Sequence, residues 1–537
     1  MKNKKLTILI VTLSLFWLIL PEAMSLAATY YVAPEGNDQW SGTSPEPNSD
    51  NTDGPFKTLE KARDTIRQLK QKGKFNEPVD VFLRKGTYFF DKPFELASED
   101  SGISARPITY QAYPGEDVII SGGKTLNNTW EKYSGSIYVT NVANLRFNSL
   151  FINNRRATRA REPDPPDEGY YHLIKDIDPE TNLDAFRFYE GDINHNWQNL
   201  RDVEVVSYRK WLQSRFRIDR VESDKVYFQG SLSEGRGYDW DYSNNTGRYY
   251  VENVLEGLDT PGEWYLDKNS GDLYYWPLFG EDIFNSQVIA PVLEQIINVK
   301  DGSYITFQDL TFSNADWHLP EQGYSGLFGA LSIEPTIRFS NTKDCVFKNC
   351  IINHVGNYAI GLRYGINKNL SIIGNQIYDI GAGGIVLNGS GDQIESCIIS
   401  DNTVHDLGKV YKEGMGMYLR GIGLTITHNL IYNVTYTGIS LCTEKYRDGL
   451  RWEKNIIEYN EIHNVMHELN DGGAIYVSGQ QPGTLIQFNK VHDIYGRDIH
   501  LRKTGSFQGI YLDEGGKEFI VQNNLVYRTD NGLLLHR

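Results

Sequence analysis

The second half of the chain alternates short apolar strands with turns that are rich in Gly, Asn and Asp. One recurring segment starts with Asn, has an apolar residue at its third position, and ends in Ile, Tyr or His. It occurs seven times, at steps of 26 to 35 residues. A second segment, an apolar strand led by Gly or Ala, also occurs seven times. The first segment occupies residues 349–352, 375–378, 402–405, 429–432, 460–463, 489–492 and 524–527, and the second occupies residues 359–362, 384–387, 416–419, 438–441, 474–477, 509–512 and 532–535.

Two segments that recur in constant order at this spacing are the signature of a solenoid. The 3.6-residue period of helical repeats is absent, and β-branched residues between Gly and Asn turns are frequent. We therefore predict an all-β fold, a parallel β-helix over residues 287–537. The corner Asn residues are expected to hydrogen-bond the neighbouring rung and to tolerate the left-handed conformation. The sequence ends at Arg537 in the middle of a rung, as a C-terminally incomplete sequence would.

The chain between residues 29 and 123 is predicted to form an N-terminal cap and the first rungs. A helix over Leu59–Gln71 has one apolar face, and strands with period-two alternation follow it. Such a helix would cover the open end of the solenoid, which repeat folds require. The face consists of Leu59, Ala62, Ile66 and Leu69, and the strands lie near residues 79–83, 86–90, 108–113 and 118–122.

The rung pattern disappears between residues 124 and 286, where charged residues, Trp and Tyr become dense. Residues 263–267 and 271–276 have the pattern of two strands of a hairpin. We predict an inserted, mostly antiparallel β-domain. Aromatic residues in half-buried strands usually serve packing, and the pattern leaves open whether this domain binds glycan or supports the solenoid.

Residues 1–28 have a basic start, an apolar run over residues 6–20 and small residues before the expected cleavage point, which predicts a secretory signal peptide. The mature protein is therefore expected to be extracellular, with no membrane association after cleavage. The net charge of the whole chain is −16. An acidic surface without a basic stripe disfavours nucleic-acid binding.

The four cysteines all lie in the repeat region, and neither a Cys-x-x-Cys motif nor a Cys/His cluster accompanies them. We interpret them as small buried apolar residues. No metal site and no cofactor are predicted. The cysteines are Cys345, Cys350, Cys397 and Cys442.

Departures from the repeating background indicate where chemistry occurs. The position after each Gly/Ala-led strand is polar and varied, unlike a structural ladder, and such positions stack about 4.8 Å apart on adjacent rungs. Asp513 lies in this column, and Asp471 lies before the strand of the preceding rung, followed by Gly472 and Gly473. The column is Arg363, Asn388, Arg420, Cys442, Ser478, Asp513 and His536.

Two carboxylates on adjacent rungs are what glycoside hydrolysis needs, since one protonates the leaving oxygen while the other attacks the anomeric carbon or activates water. The alternative for Asp471 is a turn-forming residue, and for Asp513 an exposed acid at a strand end. An extended path would separate the two too far, so a bend at the two glycines must close the gap, or another carboxylate is the partner. The alternative partners are Glu413, Glu444, Glu468 and Glu514.

Four features of the sequence occur together: the opening Tyr-Tyr-Val-Ala-Pro-x-Gly-Asn-Asp at residues 30–38, the Pro-Phe-Lys-Thr-Leu at residues 55–59, the insertion ending near residues 263–267, and the rungs through Asp471 and Asp513. This combination resembles glycoside hydrolase family 141. The resemblance covers nearly all of the mature chain. It implies a secreted right-handed β-helix enzyme of a family with α-L-fucosidase and xylanase activities on plant cell-wall glycans. Two aspartates about 40 residues apart are taken as catalytic in that family. Asp471 and Asp513, 42 residues apart, are the matching positions.

The sequence thus predicts a secreted, monomeric glycoside hydrolase that cleaves plant polysaccharide or its side chains, such as xylan, fucosylated or pectic glycans. Asp471 and Asp513 are the expected catalytic pair, with their individual roles and the stereochemical outcome open. Glu413, Arg420, His467 and His536 are expected to contact substrate. Two alternatives remain: a polysaccharide lyase, which needs clustered acids for Ca²⁺ and a basic residue facing outward, and a non-enzymatic glycan-binding surface protein.

Overall fold

The computed structural model describes residues 27–164, 172–175, 184–231, 247–326, 328–389, 393–442, 452–496 and 507–536. These residues form a parallel β-helix with an antiparallel insertion, as predicted. The predicted signal peptide falls almost entirely outside the described residues, and Ala28 already begins the first strand, Ala28–Val32. No helix among the described residues is long and apolar enough to cross a membrane.

Nineteen of the described strands form one continuous parallel sheet that wraps around two faces of the β-helix. Strand Gly472–Gln487 pairs with a strand on each of these faces and joins them. The strands are Ala28–Val32, Val79–Leu83, Phe94–Leu96, Ile108–Ala112, Ile297–Lys300, Ile305–Gln308, Pro335–Ser340, Val346–Lys348, Tyr358–Arg363, Ser371–Ile373, Ile385–Asn388, Ile398–Ser400, Met417–Arg420, Thr425–Thr427, Ile439–Cys442, Ile456–Glu458, Gly472–Gln487, Phe507–Gln522 and Asn531–Leu535.

A second parallel sheet of ten described strands forms another face. The interior between the sheets is filled by Ile, Val, Leu and Phe, and the four cysteines are buried and unpaired, as predicted. The strands are Gly86–Phe89, Val118–Ser121, Thr311–Ala315, Ile351–Val355, Gln376–Ile380, Thr403–His405, Leu430–Tyr432, Glu461–His463, Lys490–His492 and Leu525–Tyr527. A minor pair, Asn367–Lys368 with Ile394–Glu395, lies beside the rungs.

Stacked asparagines join the rungs at one corner. Asn402 is buried and donates through Nδ2 to Oδ1 of Asn429 at 2.9 Å and to the carbonyl of Ile372 at 2.9 Å. Its own Oδ1 accepts from the backbone and side chain of Asn375. The same pattern continues through Asn460 to Asn489 and Asn524. Each buried amide therefore satisfies groups on two neighbouring rungs, which confirms the expected ladder.

Two details of the predicted ladder are wrong. The left-handed residue is the one before each ladder asparagine, as at Asp401 with φ 57° and Tyr459 with φ 55°, so the asparagines act through their side chains. The first repeat is also shifted by one residue, because the side chain of Asn375 receives the backbone N–H of Cys350. Asn349 instead occupies the left-handed turn position, with φ 53°.

The N-terminal helix spans Leu59–Gln71, as predicted, and Thr58 caps it by accepting a hydrogen bond from the N–H of Lys61. The buried side chains of Leu59, Ala62 and Ile66 join the same core as the strands of the solenoid. The helix thus supplies the predicted cover at the N-terminal end.

The insertion consists of three sheets whose pairings are antiparallel except for one parallel pair, Thr158–Arg159 with Glu263–Leu266. The predicted hairpin is present and pairs Trp264 with Tyr275. The first sheet contains Gly123–Thr125, Phe151–Ile152, Arg155–Arg156 and Val288–Pro291; the second contains Glu131–Ser134, Ile137–Asn141, Thr158–Arg159, Glu263–Leu266 and Asp272–Tyr275; and the third contains Arg161–Glu162, His172–Leu173, Ala185–Arg187, Glu204–Arg209, Leu212–Glu222, Lys225–Phe228, Arg248–Glu252 and Tyr324–Ser325.

Replacing one ladder asparagine should destabilise the β-helix. Asn402→Ala leaves buried donors and acceptors on both neighbouring rungs unpaired, at about 1–3 kcal/mol for each group. We expect a clearly lower urea midpoint. Gln376→Ala, which removes an exposed amide on a nearby rung, should leave the midpoint unchanged. Equal midpoints for the two variants would contradict a stabilising role of the ladder.

Candidate active site

The polar column predicted after the Gly/Ala-led strands exists in the structure. Adjacent rungs pair Asn388 with Arg420, Cys442 with Ser478, and Ser478 with Asp513. Parallel pairing in register stacks these positions on one face of the solenoid. The column therefore forms the floor of a groove rather than scattered surface positions.

This floor lies in a cavity of about 620 Å³, a size typical of ligand sites. One wall is aromatic: the rings of Tyr476 and Tyr511 meet edge to face at 5.3 Å, and Phe328 packs 5.4 Å from Tyr476. The cavity is lined by Trp211, Phe328, Leu331, Asn388, Tyr418, Arg420, Cys442, Asp471, Tyr476, Ser478, Tyr511, Asp513, Glu514 and His536. The mixture of aromatic faces and polar groups suits a saccharide, which presents apolar C–H faces and hydroxyls.

Asp513 is the more buried of the two predicted catalytic residues, with 8% of its surface exposed. The hydroxyl of Tyr476 donates to Oδ2 at 2.8 Å, and the N–H of Glu514 donates to Oδ1 at 2.8 Å. Nδ1 of His536 lies 2.6 Å from Oδ1. A carboxylate that accepts from groups on both of its oxygens is held in one orientation, aimed into the cavity.

Asp471 lies at the mouth of the same cavity, where part of its surface is open to solvent and its carboxyl is packed against the cavity wall. Its own backbone, with φ 58°, makes the bend that was expected at the two glycines. Gly472 and Gly473 lie inside the strand, and a Cβ on Gly472 would come within 3.0 Å of the ring of Tyr436. The hydroxyl of Tyr436 donates to the carbonyl of Asp471 at 3.1 Å, which fixes the turn. The glycines therefore permit close packing beneath the aspartate.

The hydroxyl of Tyr511 connects the two aspartates. It donates a long hydrogen bond of 3.5 Å to Oδ1 of Asp471 and also interacts with the carboxylate of Asp513. The pKa of Asp471 is raised, first because its carboxyl is desolvated and then because the negative charge of Asp513 is close; the ammonium of Lys210 opposes the shift. The bend at Asp471 thus removes the predicted problem of separation.

The inserted domain reaches this cavity through the turn between strands Glu204–Arg209 and Leu212–Glu222. Trp211 on this turn forms part of the cavity wall. The carbonyl of Lys210 accepts from the N–H of Asn470 at 2.9 Å, next to Asp471. The inserted domain is therefore part of the site. In the sequence, the one sign of this contribution was a Trp at the turn between two strands of the insertion.

Glu413 does not line the cavity, although the sequence suggested a substrate contact. Its side chain is fully buried, accepts from the hydroxyl of Tyr324, and accepts from the N–H of Gln213 at 3.2 Å. Gln213 belongs to the insertion, so Glu413 joins the inserted domain to the β-helix. Its burial separates it from a substrate in the cavity.

The other predicted positions divide between the cavity and the interior. Arg420 and His536 line the cavity, with Arg420 next to Oδ1 of Asn388 at 3.5 Å. His467 is buried, with 2% of its surface exposed, and its ring lies 6.0 Å from that of Tyr495, outside the cavity lining.

Among the alternative carboxylates, Glu514 lines the cavity, Glu468 is buried away from it, and Glu444 lies outside the described residues. Tyr476 and Tyr511 are site residues that were not predicted from the sequence. Their shared third position in two adjacent Gly/Ala-led strands, where a side chain faces outward, was the available signal.

Comparison with known families agrees with this architecture. Residues 295–491 match the family described as right handed beta helix region, and residues 133–278 match the family described as GH141 insertion domain. The chain is a right-handed parallel β-helix protein that carries the GH141 insertion domain.

Three individual proteins illustrate the similarity. A solved structure titled "Glycoside hydrolase" superposes with a TM-score of 0.79 at 22% identity over 94% of this chain and 95% of that chain. A structure of XylC with xylose has a TM-score of 0.49 at 16% identity over 92% of this chain and 70% of that one. The uncharacterized protein YwoF of Bacillus subtilis (strain 168) is 29% identical over 131 residues, which is 24% of each chain.

The placement of Glu413 predicts a structural role that stability measurements can separate from catalysis. Glu413→Ala should lower the free energy of unfolding by about 1.5–3 kcal/mol for each hydrogen bond to the carboxylate that is lost. Asp513→Asn keeps its size and lies at a cavity, so its thermal midpoint should remain close to that of the wild type. A Glu413→Ala variant as stable as the wild type would contradict the bridging role.

Proposed function

We propose that the protein is a secreted glycoside hydrolase that cleaves plant cell-wall polysaccharide or its side chains, with Asp471 and Asp513 as the catalytic pair. The observation that carries the proposal is the convergence of these two carboxylates, from adjacent rungs, on one hydroxyl in a saccharide-sized cavity. The substrate class, namely xylan, fucosylated or pectic glycans, follows from the resemblance of the chain to family 141 enzymes.

The different environments of the two aspartates suggest their roles. A general acid must hold its proton at the working pH, and the raised pKa of Asp471 favours this state. Asp513 is fixed by Tyr476, Glu514 and His536 and accepts hydrogen bonds, as an ionised carboxylate does. We assign Asp471 as the acid and Asp513 as the nucleophile or base.

The reaction then uses the two carboxylates in turn. Asp471 gives its proton to the glycosidic oxygen as the bond to the anomeric carbon breaks, and the leaving sugar departs with that proton. Asp513 either removes a proton from the water that attacks the anomeric carbon, or attacks that carbon itself. In the second case Asp471, now ionised, removes a proton from a water molecule, which attacks the anomeric carbon and breaks its bond to Asp513. His536, which touches Asp513, orients it, and Tyr511 keeps a hydroxyl between the two carboxylates.

The remaining groups of the cavity would hold the sugar. Arg420 and Asn388 offer donors along the floor, while Trp211 and Phe328 offer apolar surface to the sugar ring. A lyase would need clustered acids for Ca²⁺ in this cavity, whereas the group of acids close enough to hold one ion among the described residues lies outside the cavity lining. Secretion through the signal peptide of residues 1–28 and a monomeric state remain part of the proposal.

Loss of either carboxylate should abolish turnover while the fold is retained. Asp471→Asn and Asp513→Asn should each lower the release of reducing sugar from xylan, fucosylated glycans or pectin by about 10²–10⁴-fold. Asp401→Asn changes an exposed aspartate at a rung turn and serves as the matched control, with full activity expected. Full activity of Asp471→Asn or Asp513→Asn would remove that residue from the catalytic pair.

The pH profile should separate the two roles. Hydrolysis requires protonated Asp471, so activity falls as pH rises through its pKa. Lys210→Met removes the positive charge that lowers this pKa, so the alkaline limb should move to higher pH. Lys300→Met, which removes an exposed lysine of the β-helix, should leave the profile unchanged. A shift of the acidic limb instead would identify Asp471 as the base.

A further inference from the structure

A cluster of three carboxylates lies in the inserted domain, outside the lining of the catalytic cavity. Asp164, Asp259 and Glu263 each offer one oxygen, and these oxygens lie within 4.8 Å of one another. Oxygen ligands bind Ca²⁺ at about 2.3–2.6 Å, so two oxygens on opposite sides of one ion are about 4.6–5.2 Å apart. The spread of the cluster therefore fits a single cation.

Glu263 differs from an ordinary surface acid because it is buried and one of its oxygens lacks a hydrogen-bond donor in the part of the chain that the structure describes. Only 2% of its surface is exposed, and among the described residues its buried Oε1 has no hydrogen-bond partner. Its Oε2 accepts from the N–H groups of Asp259 and Thr260, both at 3.2 Å, which fixes the orientation of the carboxyl. A buried acceptor without a donor is costly unless a cation or a proton satisfies it.

The surrounding charges increase this cost. Oδ1 of Asp164 is also buried without a hydrogen-bond partner among the described residues. No Lys or Arg of the described residues forms an ion pair with any of the three acids, and Glu162 adds a fourth nearby carboxylate.

We propose that Asp164, Asp259 and Glu263 bind a divalent, oxygen-preferring cation, best fitted by Ca²⁺. The three ligands are carboxylates, without the nitrogen or sulfur donors that favour zinc. Ca²⁺ tolerates irregular coordination and completes its shell with backbone oxygens and water, whereas Mg²⁺ demands a nearly ideal octahedron.

Such an ion would brace two sheets of the insertion against each other. Asp164 follows strand Arg161–Glu162 of one sheet, while Glu263 begins strand Glu263–Leu266 of another. The sheet that contains Arg161–Glu162 also contains the hairpin whose turn carries Trp211. The expected role of the cation is thus to stabilise the domain that forms part of the cavity wall, independently of the catalytic carboxylates.

The test compares thermal unfolding of the full chain after treatment with EDTA and after addition of excess Ca²⁺ at equal ionic strength. Ligand binding to the folded state alone raises the midpoint, and we expect a rise of several degrees with Ca²⁺ and a smaller one with Mg²⁺. Isothermal titration of the EDTA-treated protein with CaCl₂ should show one site per chain.

Two variants show whether the Ca²⁺-induced rise in the thermal midpoint depends on this cluster. Glu263→Gln keeps the side-chain volume and an acceptor for the two N–H groups but removes the charge, so the Ca²⁺-induced rise should disappear. Glu190→Gln alters an exposed acid of the same domain and should keep the rise in full. If Glu263→Gln does not fold, Asp259→Asn at the exposed position is used, and its titration with CaCl₂ should show a weaker site.

Two results would overturn the proposal. Identical midpoints in Ca²⁺ and EDTA, with no heat of binding, would mean that a proton shared between carboxyls satisfies the cluster. A full Ca²⁺ effect in Glu263→Gln and Asp259→Asn would place the ion elsewhere. Because the readout is stability and binding, neither result bears on the assignment of Asp471 and Asp513.

Discussion

The hydrogen bonds between parallel rungs are the constraint on which the rest of this molecule depends. They hold each strand in fixed register with the next, so a residue type at one position of the repeat becomes a column in space. The ladder through Asn402 ties the corner of each rung to the next one. The interior columns form the core, and one exterior column forms the floor of the candidate active-site cavity.

The site uses this regularity and departs from it at a single turn. Asp513 occupies an ordinary position of the column, where strand pairing sets its place and hydrogen bonds set its orientation. Asp471 reaches the same cavity because its own backbone adopts a left-handed bend. The inserted domain closes the site from one side by means of Trp211. Two carboxylates with unlike surroundings result, which is what acid/base chemistry requires.

Features that depend on the repeat period could be predicted from the sequence. The helix, the corner asparagines and the column that contains Asp513 all follow from local spacing. Glu413 could not be understood in this way, because Gln213, 200 positions earlier, covers it. The shift at Asn349 has a different, local cause: Cys350 occupies the ladder position in the structure, whereas the repeat pattern favours the neighbouring Asn. Contacts between distant segments have no period and leave no local pattern.

The position of the insertion has a consequence for the growing chain. Strand Ile108–Ala112 pairs with Val79–Leu83 on one side and with Ile305–Gln308 on the other, and the whole insertion lies between these partners in sequence. At about 5–20 residues per second, the second partner is synthesised on the order of ten seconds or more after the first. Throughout that interval the first rungs present an open edge that invites pairing with other chains. Early folding of the insertion, which brings its two ends together in the sheet of Gly123–Thr125 and Val288–Pro291, would shorten the search for the missing strand.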